Sequence, residues 1–106
     1  MSDDAHELRC WPQFFQAVWD GDKTFEVRRD DRGFEVGHAL MLREYDPELD
    51  ERAAGERYTG RELTASVTYV LRGDGFGVES GFVVLGIKLL QRATASARMP
   101  KAGAEG

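Results

Sequence analysis

Apolar and polar positions along this chain follow two periods in turn. Phe14, Phe15, Val18 and Trp19 recur at spacings of three and four, which places them on one face of a short helix. Pro12 suits the first helical position, and a residue before proline is pushed out of the helical region, so the helix is predicted from Pro12 to Asp20 with Trp11 extended. Gly21 stands where a C-terminal glycine belongs. The period then changes to two. Across Lys23 to Arg29, Phe25 and Val27 take one face while Thr24, Glu26 and Arg28 take the other, the signature of a strand.

Further strands are expected over Ala39–Tyr45, with Leu40 and Leu42 alternating against Met41 and Arg43. Another runs over Leu63–Leu71, with Val67, Tyr69 and Leu71 sharing a face. Phe82–Leu89 is apolar on both faces and reads as a central strand. His6–Cys10 reads as a short extended segment ahead of Pro12. The charged stretch Glu48–Gly60 has no sustained period and is expected to be a surface loop. Gly73, Gly75, Gly77 and Gly81 mark a tight connection rather than a phosphate loop, because no lysine and no convincing helix follow them. The predicted organisation is a tail at residues 1–5, one domain at 6–90, and a disordered tail at 91–106. The fold class is α+β, mainly β: a small barrel of five to six strands capped by an early helix.

Composition narrows the function classes. One cysteine, Cys10, admits no internal disulfide, and two histidines without cysteine pairs argue against a structural metal; no cofactor is expected. No apolar run reaches the roughly 20 residues that span a bilayer, so no membrane partner is expected and the default location is cytoplasmic. A net charge of −5 argues against a surface that coats nucleic acid indiscriminately, yet permits a local basic pocket. The oligomeric state is left open.

The polar face of the first long strand is the candidate chemistry. Glu26 flanked by Thr24 and Arg28, at about 7 Å between neighbours on one strand face, could grip a planar ligand edge, with Glu26 accepting from an amino group. Lys23 adds a cation at the helix–strand junction. The competing reading is an exposed lattice of Glu26 and Arg28 worth under about 1 kcal/mol. Trp11 and Tyr45 could stack on a base or pack at a rim. His6, on an edge segment, reads as solvated.

Gly21-Asp22-Lys23-Thr24-Phe25-Glu26-Val27-Arg28 resembles the G-x-K-T-x-E-x-R signature of the ASCH domain, a member of the PUA-like superfamily. The likeness extends through His6-Glu7-Leu8, Trp11-Pro12, Arg32-Gly33-Phe34 with Val36-Gly37, Leu42 to Asp46, Val67 to Val70 and Gly81 to Leu85, which resemble a bacterial and phage branch of unknown function. It implies a small barrel with a cleft beside the helix. It also implies that RNA or a modified nucleotide binds there, in a cleft lined by Lys23, Thr24, Glu26 and Arg28, with Trp11 and Tyr45 as the candidate stacking residues. One ASCH branch cleaves an amide of acetylated cytidine with a threonine nucleophile where this chain has Glu26. An enzyme of this chain would therefore be a hydrolase, a ribonuclease or an amidohydrolase, using Glu26 as general base with Lys23 stabilising charge. A third possibility is a protein-interaction module acting through Glu48–Arg57.

Overall fold

A computed structural model describes residues 5–49 and 57–94. The elements are β1 (Ala5–Cys10), α1 (Pro12–Trp19), β2 (Phe25–Arg29), β3 (Ala39–Tyr45), β4 (Tyr58–Arg72) and β5 (Phe82–Thr94). They form one five-stranded sheet in the order β1-β3-β4-β5-β2, curled into a half-barrel. β1 runs parallel to β3 and the remaining pairs are antiparallel. The mainly β, α+β architecture with an early helix is the one the periodicities predict. No described helix is long and apolar enough to cross a membrane.

The core is the concave face of the sheet. Leu8, Leu40, Leu42, Leu63, Ala65, Val67, Val83, Leu85 and Ile87 point into it, and Phe34 joins them from the β2–β3 connection. β5 lies between β4 and β2, as its double-sided apolarity requires. Helix α1 closes one end of the curl with Phe15 and Val18 buried. Phe14, expected on the same face, is exposed instead. An eight-residue helix meets the sheet through a narrow stripe, and position 14 lies at its margin.

Three further expectations are corrected. Val67 faces the core, but Tyr69 and Leu71 pair with Gly86 and Val84 on the outer face, because the ladder shifts register between Val67 and Tyr69. A bulge inserts one residue and reverses the alternation beyond it. The expected tail also begins too early. Gln91, Arg92, Ala93 and Thr94 pair with Thr64, Leu63, Glu62 and Arg61, so β5 continues to Thr94 on partner strand rather than on its own apolar pattern. Of the predicted loop Glu48–Gly60, residues 58–60 already belong to β4, and 50–56 lie outside the described residues. The predicted tails at 1–4 and 95–106 also lie outside them.

The sheet leaves β1 and β2 as its two edges. They face each other across the seam of the curl and are joined by side chains. Arg28 Nη2 donates to the Arg9 carbonyl at 2.9 Å, and Arg32 Nη1 donates to the Glu7 carbonyl at 2.9 Å. Residues 7 and 9 are two apart on β1, so both carbonyls point the same way. Edge acceptors that would otherwise invite a foreign strand are satisfied by arginines.

Candidate functional site

The helix end positions the first functional group. Gly21 adopts a φ of +85°, and the Ala17 carbonyl accepts from the main-chain N–H of both Asp22 and Lys23, at 2.9 and 3.0 Å. That closure turns the chain sharply and delivers Lys23 to the mouth of the curl. β2 then pairs with β5 so that Glu26 lies opposite Leu85 and Arg28 opposite Val83, both of them core residues. Opposed residues share a face, so the polar side of β2 points inward, while Phe25 and Val27 point out and are exposed. A one-residue slip would bury the two apolar side chains and expose the charges. The protein takes the other register.

Glu26 is consequently 3% exposed. Its Oε2 accepts from Lys23 Nζ at 2.6 Å, and its Oε1 accepts from Arg28 Nε at 3.1 Å and Nη2 at 2.9 Å. Lys23 Nζ also donates to the Phe25 carbonyl at 2.6 Å and sits over the Phe25 ring, 4.8 Å from its centre. An exposed ion lattice at Glu26 and Arg28 is thereby excluded. A buried carboxylate between two cations is costly to desolvate and persists only when its partners hold it.

These three residues converge on a cavity of about 550 Å³ at the open end of the seam, lined also by Arg9, Cys10, Trp11, Phe14, Phe25 and Val27. The walls are largely apolar and aromatic, and the floor is charged. Its cations are Arg9, Lys23 and Arg28 and its anion is Glu26, an electropositive spot on a chain of net charge −5. Trp11 stands 52% exposed on this wall. It also lines a neighbouring hollow of about 370 Å³ with Pro12, Gln13, Asp46, Pro47 and Glu48.

The other expected site residues fall differently. Thr24 is exposed and does not line the cavity; its carbonyl is taken by the Ile87 N–H at 3.0 Å. Tyr45 does not line it either. Its ring packs edge-on against Tyr58, and the Arg9 guanidinium lies 4.6 Å from the ring centre, so Tyr45 supports a cavity residue rather than the cavity itself. Cys10 lines the cavity as a thiol: burial, and next the Glu26 charge, push its pKa up to about 12. His6 is not simply solvated. It is half-buried, with Nε2 3.0 Å from His38 Nδ1 and its ring edge-on to Phe34. Among the described residues no group of three or more potential ligands could hold a metal ion.

A second buried carboxylate had no marker in the sequence pattern beyond its alternate position on β3. Glu44 is 6% exposed. It accepts from Arg61 Nε at 2.9 Å and Nη2 at 3.0 Å, and from the Thr59 hydroxyl at 2.6 Å. Burial pushes its pKa up, but the hydrogen bonds from Arg61 and Thr59 and the Arg61 charge outweigh that and hold it below the ordinary carboxylate value. Arg61 continues to Gln16 Oε1 at 2.7 Å and lies over the Phe15 and Trp19 rings, so this pair anchors α1 above the sheet. Arg43, on the same strand, pairs with Glu7 and Glu62 and not with Glu44.

Residues 5–87 match the family model described as "Domain of unknown function (DUF3850)". The chain belongs to the DUF3850 family. The matched span of this DUF3850 domain contains every residue that lines the cavity. A curated relative is the uncharacterized 12.9 kDa protein in the GpA 3′ region of Escherichia phage P2, 32% identical over 65 residues. Those residues are 61% of this chain and 52% of the phage protein, so the match spans about half of that relative.

Proposed function

We propose that this domain is an ASCH/PUA-like binding module that takes RNA or a modified nucleotide into the cavity beside α1. The observation that carries the reading is the inward turn of Lys23, Glu26 and Arg28 on a strand whose apolar residues are left exposed. Burying Phe25 and Val27 would stabilise the fold by about 1.5–3 kcal/mol each. The charged floor in their place ties the seam through Arg28, but that bond alone does not call for Lys23 and a buried Glu26 beside it, and the trio suits a planar ligand with polar edges. Aromatic walls from Trp11, Phe14 and Phe25 supply stacking surface, and Arg9, Lys23 and Arg28 supply positive charge for phosphate or carbonyl oxygens. The resemblance to the ASCH signature over Gly21–Arg28 supports the same reading.

A hydrolase at this site would need Glu26 to take a proton from water. Both Glu26 oxygens already accept from cations, and the carboxylate is almost wholly buried, so the arrangement favours grip over turnover. The test is fluorescence titration of the intact chain with short RNAs and a panel of nucleotides, beside Lys23→Ala and Arg28→Lys. Saturable binding weakened in both variants is expected. Binding absent, or untouched by both substitutions, overturns the proposal. A reaction product that disappears in folded Glu26→Gln would move the assignment to a hydrolase.

A further inference from the structure

The cavity's polar floor has an asymmetry: its acceptor is used up and its donors are not. Glu26 Oε1 receives two N–H groups from Arg28, which fills its lone pairs, and Oε2 receives Lys23 Nζ. With the side chain 4% exposed, the remaining lone pair of Oε2 is not open to a ligand. Arg28 carries five N–H groups. Nε and Nη2 are engaged with Glu26 and the Arg9 carbonyl, whereas the two on Nη1 have no acceptor among the described residues. Lys23 Nζ keeps a third proton beyond those given to Glu26 and the Phe25 carbonyl. Both residues line the cavity.

Resting on the nucleotide-binding reading, we propose that the site selects bases by an acceptor edge, favouring keto bases such as guanine, hypoxanthine and uracil over the amino bases adenine and cytosine. Arg28 is the specificity-determining residue, with Lys23 beside it. The remaining Nη1 donors of Arg28, with the third Lys23 proton beside them, can meet O6 of a keto purine or O4 of uracil. An exocyclic amino group in the same place would set donor against donor and leave buried N–H groups unmatched. Glu26 is thus not the reader of an amino group that its position on the strand suggests. It is the positioning residue that holds Arg28 and Lys23 in orientation, and its own acceptors are spent doing so.

The discriminating experiment uses isosteric pairs that differ at one edge. The intact chain is titrated with inosine and adenosine 5′-monophosphates, with uridine and cytidine 5′-monophosphates, and with inorganic phosphate. The same bases are also presented at the centre of an otherwise constant trinucleotide. Each keto member is expected to bind at least about tenfold tighter than its amino partner. Arg28→Lys, which keeps the charge but loses the Nη1 donors, is expected to bring the ratio below about threefold while binding persists. Saturable binding with equal or reversed preference overturns the inference and leaves the nucleotide reading in place. Phosphate binding as tightly as the nucleotides also overturns it, because the floor would then read an anion rather than a base. No saturable binding by any of them overturns the nucleotide reading itself. Should Arg28→Lys fail to fold, the wild-type ratios decide alone.

Discussion

Arg28 Nη2 lies 2.9 Å from the Arg9 carbonyl, so one side chain on the last strand of the sheet reaches the main chain of the first. The same nitrogen holds Glu26 Oε1. Arg28 therefore serves the seam and the cavity floor together.

Removing Arg28 should cost more than removing its neighbour on the seam. Arg28→Ala leaves a buried carboxylate with Lys23 as its remaining charged partner and is expected to destabilise by about 3 kcal/mol, the low end for breaking a buried pair. Arg32 also reaches a β1 carbonyl, but its side chain is largely in water, so Arg32→Ala should cost under about 1 kcal/mol. Urea denaturation of the two variants separates these values. Equal losses would show that the seam bonds, and not the buried charge, set the cost.

Glu44 gives the fold an acid-side sensitivity. Its folded pKa lies below its ordinary value of 4.5, so in the interval between them the unfolded chain binds the proton and the folded one does not. The stabilisation is therefore complete above about pH 4.5 and drains away as pH falls through the lower, folded value. Denaturation of wild type and Glu44→Gln at pH 7, 4.5 and 3 should show a stability gap that narrows with acid. A gap that widens toward pH 3 would contradict the sign.

The strands and the helix could be read from the chain because their periods are local. Phe15 and Val18 at helical spacing, or Leu40 and Leu42 at strand spacing, announce an element whatever surrounds it. Which face of a strand turns inward is not local where both faces are plausible. On β2 the alternation separates Phe25 and Val27 from Glu26 and Arg28 without saying which pair turns inward, and the ladder to Leu85 and Val83 turns Glu26 and Arg28 inward. The bulge before Tyr69 has the same character, since one unpaired residue reverses everything after it and leaves no mark in the alternation. At the site, the trio Lys23, Glu26 and Arg28 stood close together on one short segment and was legible. Arg9, Phe14 and Phe25 enter the cavity through the meeting of β1, α1 and β2, which no spacing along the chain encodes.

Cys10 should be almost inert while the protein is folded. With its thiol pushed up to about 12 by burial and by Glu26, the thiolate fraction at pH 8 is on the order of one in 10,000. Alkylation by iodoacetamide in the native state should run about 1000-fold slower than in urea-unfolded chain at the same pH. Labelling followed by mass spectrometry measures both rates. Comparable rates would mean that the cavity floor opens to reagent far more often than its ion pairs allow.

Trp11 and Tyr45 were equal candidates for stacking, and their surroundings now separate them. Trp11 presents an exposed ring on the cavity wall, at a helix-capping position held by its main chain: its carbonyl accepts from the Phe15 N–H at 2.8 Å. Truncating its side chain leaves that bond in place. Trp11→Ala is therefore expected to keep the fold while weakening nucleotide binding by about 5- to 100-fold, the range for loss of one stacked base. Tyr45 stands behind Arg9 with its ring against Tyr58, so removing its hydroxyl in Tyr45→Phe should change binding by less than about twofold while retaining the cation–π contact with Arg9. Titration of both variants with the tightest nucleotide checks the pair. A Tyr45→Phe loss as large as that of Trp11→Ala would move the stacking wall to the far side of Arg9.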